Sequence, residues 1–108
     1  MYVRHDADLP HAIENIVDGA YFNSGQSCCG LQRIYVHESV YARFTAGATE
    51  LVQKYVLGDP LDPETTLGPV VRSAAADAIR AQIDTAVRAG ARPVIDERAF
   101  ARSRAGTP

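Results

Sequence analysis

Apolar residues recur along the first half of the chain with a helical period. Ile13, Ile16, Val17, Ala20 and Tyr21 stand at i, i+3, i+4, i+7 and i+8, which puts them on one helical face. Asp8 precedes the run as an N-cap, and Pro10 falls in the first turn, where its missing N–H costs nothing. The pattern stops at Asn23-Ser24-Gly25. Asn and Gly tolerate the left-handed backbone that ends a helix, so Gln26-Ser27-Cys28-Cys29-Gly30 is predicted to be a loop. From Leu31 to His37 the period changes to two, with Ile34 and Val36 on one face and Arg33, Tyr35 and His37 on the other, which predicts a short strand. A second helix follows from about Ser39, with Val40, Phe44, Ala48, Leu51, Val52 and Tyr55 on one stripe, and closes at Gly58-Asp59-Pro60.

The second half is more broken. Residues 58–69 include Pro60, Pro63 and Pro69 with Gly58 and Gly68, a density that no helix or central strand tolerates, so an irregular surface loop is expected. A third helix is expected from Ser73 as N-cap, with Ala76, Ile79, Ile83, Ala86 and Val87 on one face and Gly90 as its stop. Arg92–Asp96 reads as one more strand, at a sheet edge because of Pro93. Residues 97–108 lose the hydrophobic period and read as an exposed tail. The fold class is therefore α/β, with about three helices and two or three short strands. So small a sheet gives its helices little to pack on, and the isolated chain is expected to be marginally stable.

Composition narrows the function classes. The chain has 108 residues, 46% hydrophobic and 22% charged, enough for one small domain. A net charge of −2 with scattered basic residues offers no field for a phosphate backbone, so a nucleic-acid partner is not expected. No apolar run approaches the roughly 18–20 residues that span a bilayer, and the first residues lack the apolar centre of a secretory signal. No membrane association and a cytoplasmic location are the expectations. The two cysteines are adjacent, which excludes a disulfide framework, and His5, His11 and His37 lie at no ligand-like interval from them, so no metal site is expected.

The stretch from Tyr21 to Arg33 carries the candidate chemistry. A nucleophilic cysteine needs a loop that exposes its sulfur, small neighbours and surroundings that favour the thiolate. Gly25, Ser27 and Gly30 supply the small neighbours, and backbone N–H groups of such a turn can stabilise negative charge on an attacked carbonyl oxygen. On residue types alone, an inert packing cysteine stays open beside the reactive one.

Phe22-Asn23-x-Gly25-Gln26-x-Cys28-x4-Arg33, followed by Ile34-Tyr35-Val36, resembles the cysteine active-site motif of the aldehyde dehydrogenase superfamily. Residues 2–13 resemble the segment that joins the family's glutamate motif to its cysteine helix, and Gly58-Asp59-Pro60-Leu61-Asp62 with Leu67-Gly68-Pro69 resembles its loop after the second helix. The resemblance runs over residues 2–96. It implies a partial catalytic domain at 1–96, an irregular tail at 97–108, and Cys28 as the nucleophile with its own N–H as one oxyanion donor. In the family the thiolate adds to an aldehyde, hydride passes to NAD or NADP, and water hydrolyses the thioester. Cys29 is implied to be a small apolar neighbour, although an adjacent disulfide under oxidation would quench Cys28.

The resemblance also implies what lies elsewhere. The family's general base, in a Glu-Leu-Gly-Gly-Lys-like motif, its second oxyanion donor, its dinucleotide-binding residues and the strand of its homo-oligomer have no counterpart in this sequence. Glu14, Glu38, Glu50, Glu64 and Glu97 read as solvated charges, His11 and His37 as structural groups, Asn23 and Gln26 as turn-shaping residues, and Arg33 as a support for the loop. The expectation is an oxidoreductase fragment without dehydrogenase activity of its own. Two alternatives stand beside it: a non-catalytic α/β remnant or docking module, and a thiol redox module, which lacks a Cys-x-x-Cys pair.

Overall fold

In the computed structural model, which describes residues 1–100, the Asp8 carboxylate accepts the His11 N–H at 3.1 Å. That bond satisfies one of the free donors of a helix start, and α1 runs Leu9–Tyr21 from it with Pro10 in the first turn. Asp8→Ala is expected to cost about 1 kcal/mol, read as a lower denaturant midpoint at constant slope. A parallel pair flanks the helix: β1 (Tyr2–Val3) sets Tyr2 opposite Tyr35 and Val3 opposite Val36 of β2 (Tyr35–Val36). The strand expected over 31–37 is thus two residues long, and its alternation holds from Arg33 to Val36 but not at His37, which is half-buried like Val36. Ile34 and Val36 are half-buried while Tyr35 is 62% exposed.

His37, not Ser39, caps α2 (Glu38–Val52): its Nδ1 accepts the Ser39 N–H at 3.2 Å, which requires that nitrogen to be unprotonated. The helix stops before Tyr55 because Lys54 and Tyr55 donate to Leu51 and Val52, three residues back, tightening the last turn. Leu9 and Ile16 of α1 meet Val40 and Phe44 of α2 and Val3 of β1 in the buried core, with Leu31, Ile34 and Val36 packed against it. Gly47 explains how close the two helices come. A Cβ there would lie 2.7 Å from Ile13 Cδ1, so the helix accepts about 1 kcal/mol of glycine cost for that approach.

The chain divides into two compact units, the first ending at Tyr55 and the second starting at Val56. In the second, Thr66 and Leu67 both donate to the Val56 carbonyl, and the Asp59 and Asp62 carboxylates cap their own turns. This is the irregular loop expected from the prolines. α3 (Ser73–Arg88) follows, but Ser73 is its first residue and extended Arg72 its N-cap, with no side-chain bond to the cap. It ends on Gly90 with Ala91 N–H reaching the Ala86 carbonyl at 2.9 Å, a Schellman arrangement. No residue of α3 is buried. The edge strand expected over Arg92–Asp96 does not form: Pro93 lacks a donor, and Val94 is 46% exposed with no strand beside it among the described residues. Glu97–Phe100 form a 3-10 turn, and the remainder of the expected tail, residues 101–108, lies outside the described residues. No helix among the described residues is long and apolar enough to cross a membrane.

Candidate functional site

At the end of α1 the backbone reverses through three residues of positive φ, Asn23 at 50°, Ser24 at 58° and Gly25 at 76°. Glycine adopts that region freely and asparagine tolerates it, whereas serine there is uncommon, and such strain persists only where surrounding bonds fix it. The bonds are present. The Asn23 carbonyl accepts both the Gln26 N–H at 3.1 Å and the Gln26 side-chain amide at 3.0 Å, and the Asn23 amide returns a bond to the Gln26 carbonyl at 3.2 Å. Asn23 and Gln26 therefore shape the turn, as expected.

A second turn carries the cysteines. Gly30 N–H donates to the Ser27 carbonyl at 3.1 Å, leaving Cys28 and Cys29 as the two central residues. The chain leaving this turn is tied back to α1, because Leu31 N–H donates to the Gly19 carbonyl at 3.0 Å and the Leu31 side chain lies over Gly19. The cysteine turn is thus held on one side by the Asn23–Gln26 clamp and on the other by Leu31. Both sulfurs are at the surface.

Cys29, the small neighbour of Cys28, is exposed, and the Ser27 hydroxyl stands 3.3 Å from its sulfur. The Ser27 bond, followed by one from the Cys28 thiol, holds the Cys29 thiol below the usual cysteine range. Sequence alone shows Ser27 and Cys29 two positions apart, but only the turn brings their side chains together.

The remaining candidates stay structural. Arg33 is exposed and enters none of the ion pairs found among the described residues, so the backbone bond from Leu31, rather than a guanidinium, pins the loop. Glu14, Glu38, Glu50, Glu64 and Glu97 are exposed, and Glu50 pairs with Lys54 at 2.9 Å. His37 caps α2, and its ring lies 5.4 Å from that of His5. His11 sits on the exposed face of α1, 3.4 Å from the Asn15 amide. No group of three His, Cys, Asp or Glu residues is arranged to hold a metal among the described residues.

Comparison with known proteins gives this geometry its context. Residues 1–107 match the model of the Aldehyde dehydrogenase family. Vanillin dehydrogenase of Pseudomonas fluorescens is 43% identical over 95 residues, covering 88% of this chain and 20% of that protein. The crystal structure of lactaldehyde dehydrogenase from Escherichia coli superposes with a TM-score of 0.84 at 34% identity, over 87% of this chain and 20% of that one. That of betaine aldehyde dehydrogenase from Staphylococcus aureus in complex with NAD+ gives 0.83 at 31%, over 87% of this chain and 19% of that one. The chain thus spans about a fifth of the length of the relatives it matches. A cysteine turn set between a helix end and a short parallel strand, with this match over nearly its whole length, places the chain in the aldehyde dehydrogenase family.

Proposed function

We propose that this chain is the cysteine-bearing part of an enzyme that oxidises an aldehyde to a carboxylic acid with NAD or NADP, with Cys28 as the nucleophile and residues 1–96 as part of the catalytic domain. The observation that carries the reading is the exposure of Cys28 at the centre of the Ser27–Gly30 turn, in a chain that belongs to this family. The Cys28 thiolate adds to the carbonyl carbon, the C–S bond forms, and the carbonyl π pair moves to oxygen. The Cys28 N–H donates to that oxyanion, an interaction that strengthens as charge develops.

A pyrophosphate favours a helix N-terminus free of negative charge, and in the first unit α1 starts on the Asp8 carboxylate and α2 on Glu38. The glutamates are exposed, and Glu50 is taken up by Lys54. In this reading Cys28 and its turn carry the addition step.

Two outcomes are expected. The purified chain, given an aldehyde with NAD or NADP, forms no reduced cofactor; formation that disappears in Cys28→Ala would overturn this. Grafted in place of its counterpart in the Staphylococcus aureus betaine aldehyde dehydrogenase, the chain supports oxidation of betaine aldehyde. A folded graft that binds NAD+ without turnover would instead favour a second reading, a non-catalytic docking module. That reading draws on α3, where Ile79, Ile83 and Val87 stay 43%, 54% and 42% exposed.

A further inference from the structure

From Asp77 to Arg88, α3 is exposed on every side, yet its residues are not distributed as on a solvated helix. Ala76, Ile79, Ile83 and Val87 share one face at helical spacing, and the last three are 43%, 54% and 42% exposed. Apolar side chains in such a row form a continuous patch, and an unpacked helix of this length is marginal in water, because most helical stability comes from packing an apolar face. Two flanks border the face. One carries every charge of the helix, Asp77, Arg80, Asp84 and Arg88. The other is uncharged, and Ala81, Gln82, Thr85, Ala86 and Ala89 line a shallow groove along it.

The order of the charges selects the occupant. From the N-terminus they run acid, base, acid, base, so the same flank read backwards runs base, acid, base, acid. A second α3 lying antiparallel about a two-fold axis brings like flank against like flank. Ile83 then sits next to the axis, Ile79 opposite Val87, Arg80 beside Asp84 and Asp77 beside Arg88, all in a single register. In a parallel pair the charged flank would face the uncharged groove, and its charges would find no partners across the contact. We propose that α3 is a self-association surface whose partner is a second copy of this chain, bound antiparallel through Ile79, Ile83 and Val87. Within one copy Arg80 reaches Asp77 at 3.4 Å in an exposed pair, which costs little to exchange for a partner across the contact. The apolar face supplies the attraction and the charges set its direction. The helix is about 24 Å long, so one helix pair covers less than the roughly 1,200–2,000 Å² of a standard interface, and the dimer opens on dilution. The contact rests on α3 alone and does not depend on the chemistry of Cys28.

Sedimentation velocity of the purified chain over a dilution series, with reductant present to keep both cysteines as thiols, tests the surface. The wild-type chain is expected to pass reversibly between monomer and dimer, and Ile83→Glu to stay monomeric with the helix content of wild type by circular dichroism. Arg80→Asp, which sets acid against acid on both sides of the axis, is expected to raise the dissociation constant at least about tenfold. Adding Asp84→Arg exchanges the pair and is expected to return the constant to within about threefold of wild type. A wild-type chain that is monomeric at every concentration would overturn the proposal and leave the face to a different polypeptide. So would larger species of no fixed size, a dimer that Ile83→Glu or Arg80→Asp leaves intact, or an exchanged pair that fails to recover.

Discussion

In the betaine aldehyde dehydrogenase graft, Cys28→Ala is expected to lower turnover at least about 10⁴-fold, the scale at which loss of a covalent nucleophile leaves only binding and oxyanion stabilisation. Cys29→Ala is expected to stay within about tenfold of the parent graft, since addition to a carbonyl needs one sulfur and that position supplies no bond to the reacting atoms. The measurement is the initial rate of NADH formation at saturating betaine aldehyde. The asymmetry is the informative part, because both thiols are exposed and the motif assigns the nucleophile to Cys28 although Ser27 stands beside Cys29. Equal losses from the two variants would mean that the turn acts as a pair in catalysis rather than through Cys28.

Phe44→Ala is expected to unfold the first unit. Phe44 is 7% exposed and lies in the cluster of Val3, Leu9, Ile16 and Val40, where truncation to alanine costs about 3–5 kcal/mol. Whole domains are stable by only about 5–15 kcal/mol, and a core of this size places the chain at the low end. The expected result is loss of near-ultraviolet dichroism and of any cooperative thermal transition. As a contrast, Ile83→Ala on α3, at a position 54% exposed, should change stability by no more than about 0.5 kcal/mol. A Phe44→Ala chain that melts as sharply as wild type would show that the buried cluster does not hold the unit together.

How much of this was legible in the sequence follows from how local each determinant is. Asp8 and Pro10 mark the start of α1 through bonds and angles within one turn, so the reading and the structure agree. The α1–α2 core was legible in the stripes of Ile16, Val17, Val40 and Phe44, because a helical period survives without knowledge of the partner. β1 was not, since Tyr2–Val3 are too short for any period and are strand only by pairing with Tyr35–Val36, far along the chain. The strand assigned to Arg92–Asp96 failed for the same reason in reverse: its residues suit a strand, but among the described residues no partner stands beside them. Capping at Arg72 and His37 instead of Ser73 and Ser39 is decided by backbone angles that residue preferences do not reveal.

The site divides in the same way. The loop at Gln26–Gly30, its glycines and the position of Cys28 could be read from residue order and from the family motif. The Ser27 to Cys29 contact could not, because it depends on a turn closed by Gly30 and on side-chain rotamers within it. Arg33 looked like the loop's anchor, yet the anchor is a backbone bond from Leu31 to Gly19, which no side-chain pattern encodes.

The most direct test of the central claim is to stop the grafted enzyme with acid during turnover and locate the acyl group by peptide mass spectrometry. The prediction is a thioester on Cys28, present only when both betaine aldehyde and NAD+ are supplied and absent from Cys28→Ala. An acyl group on Cys29, or steady turnover with no acyl group on either cysteine, would contradict it.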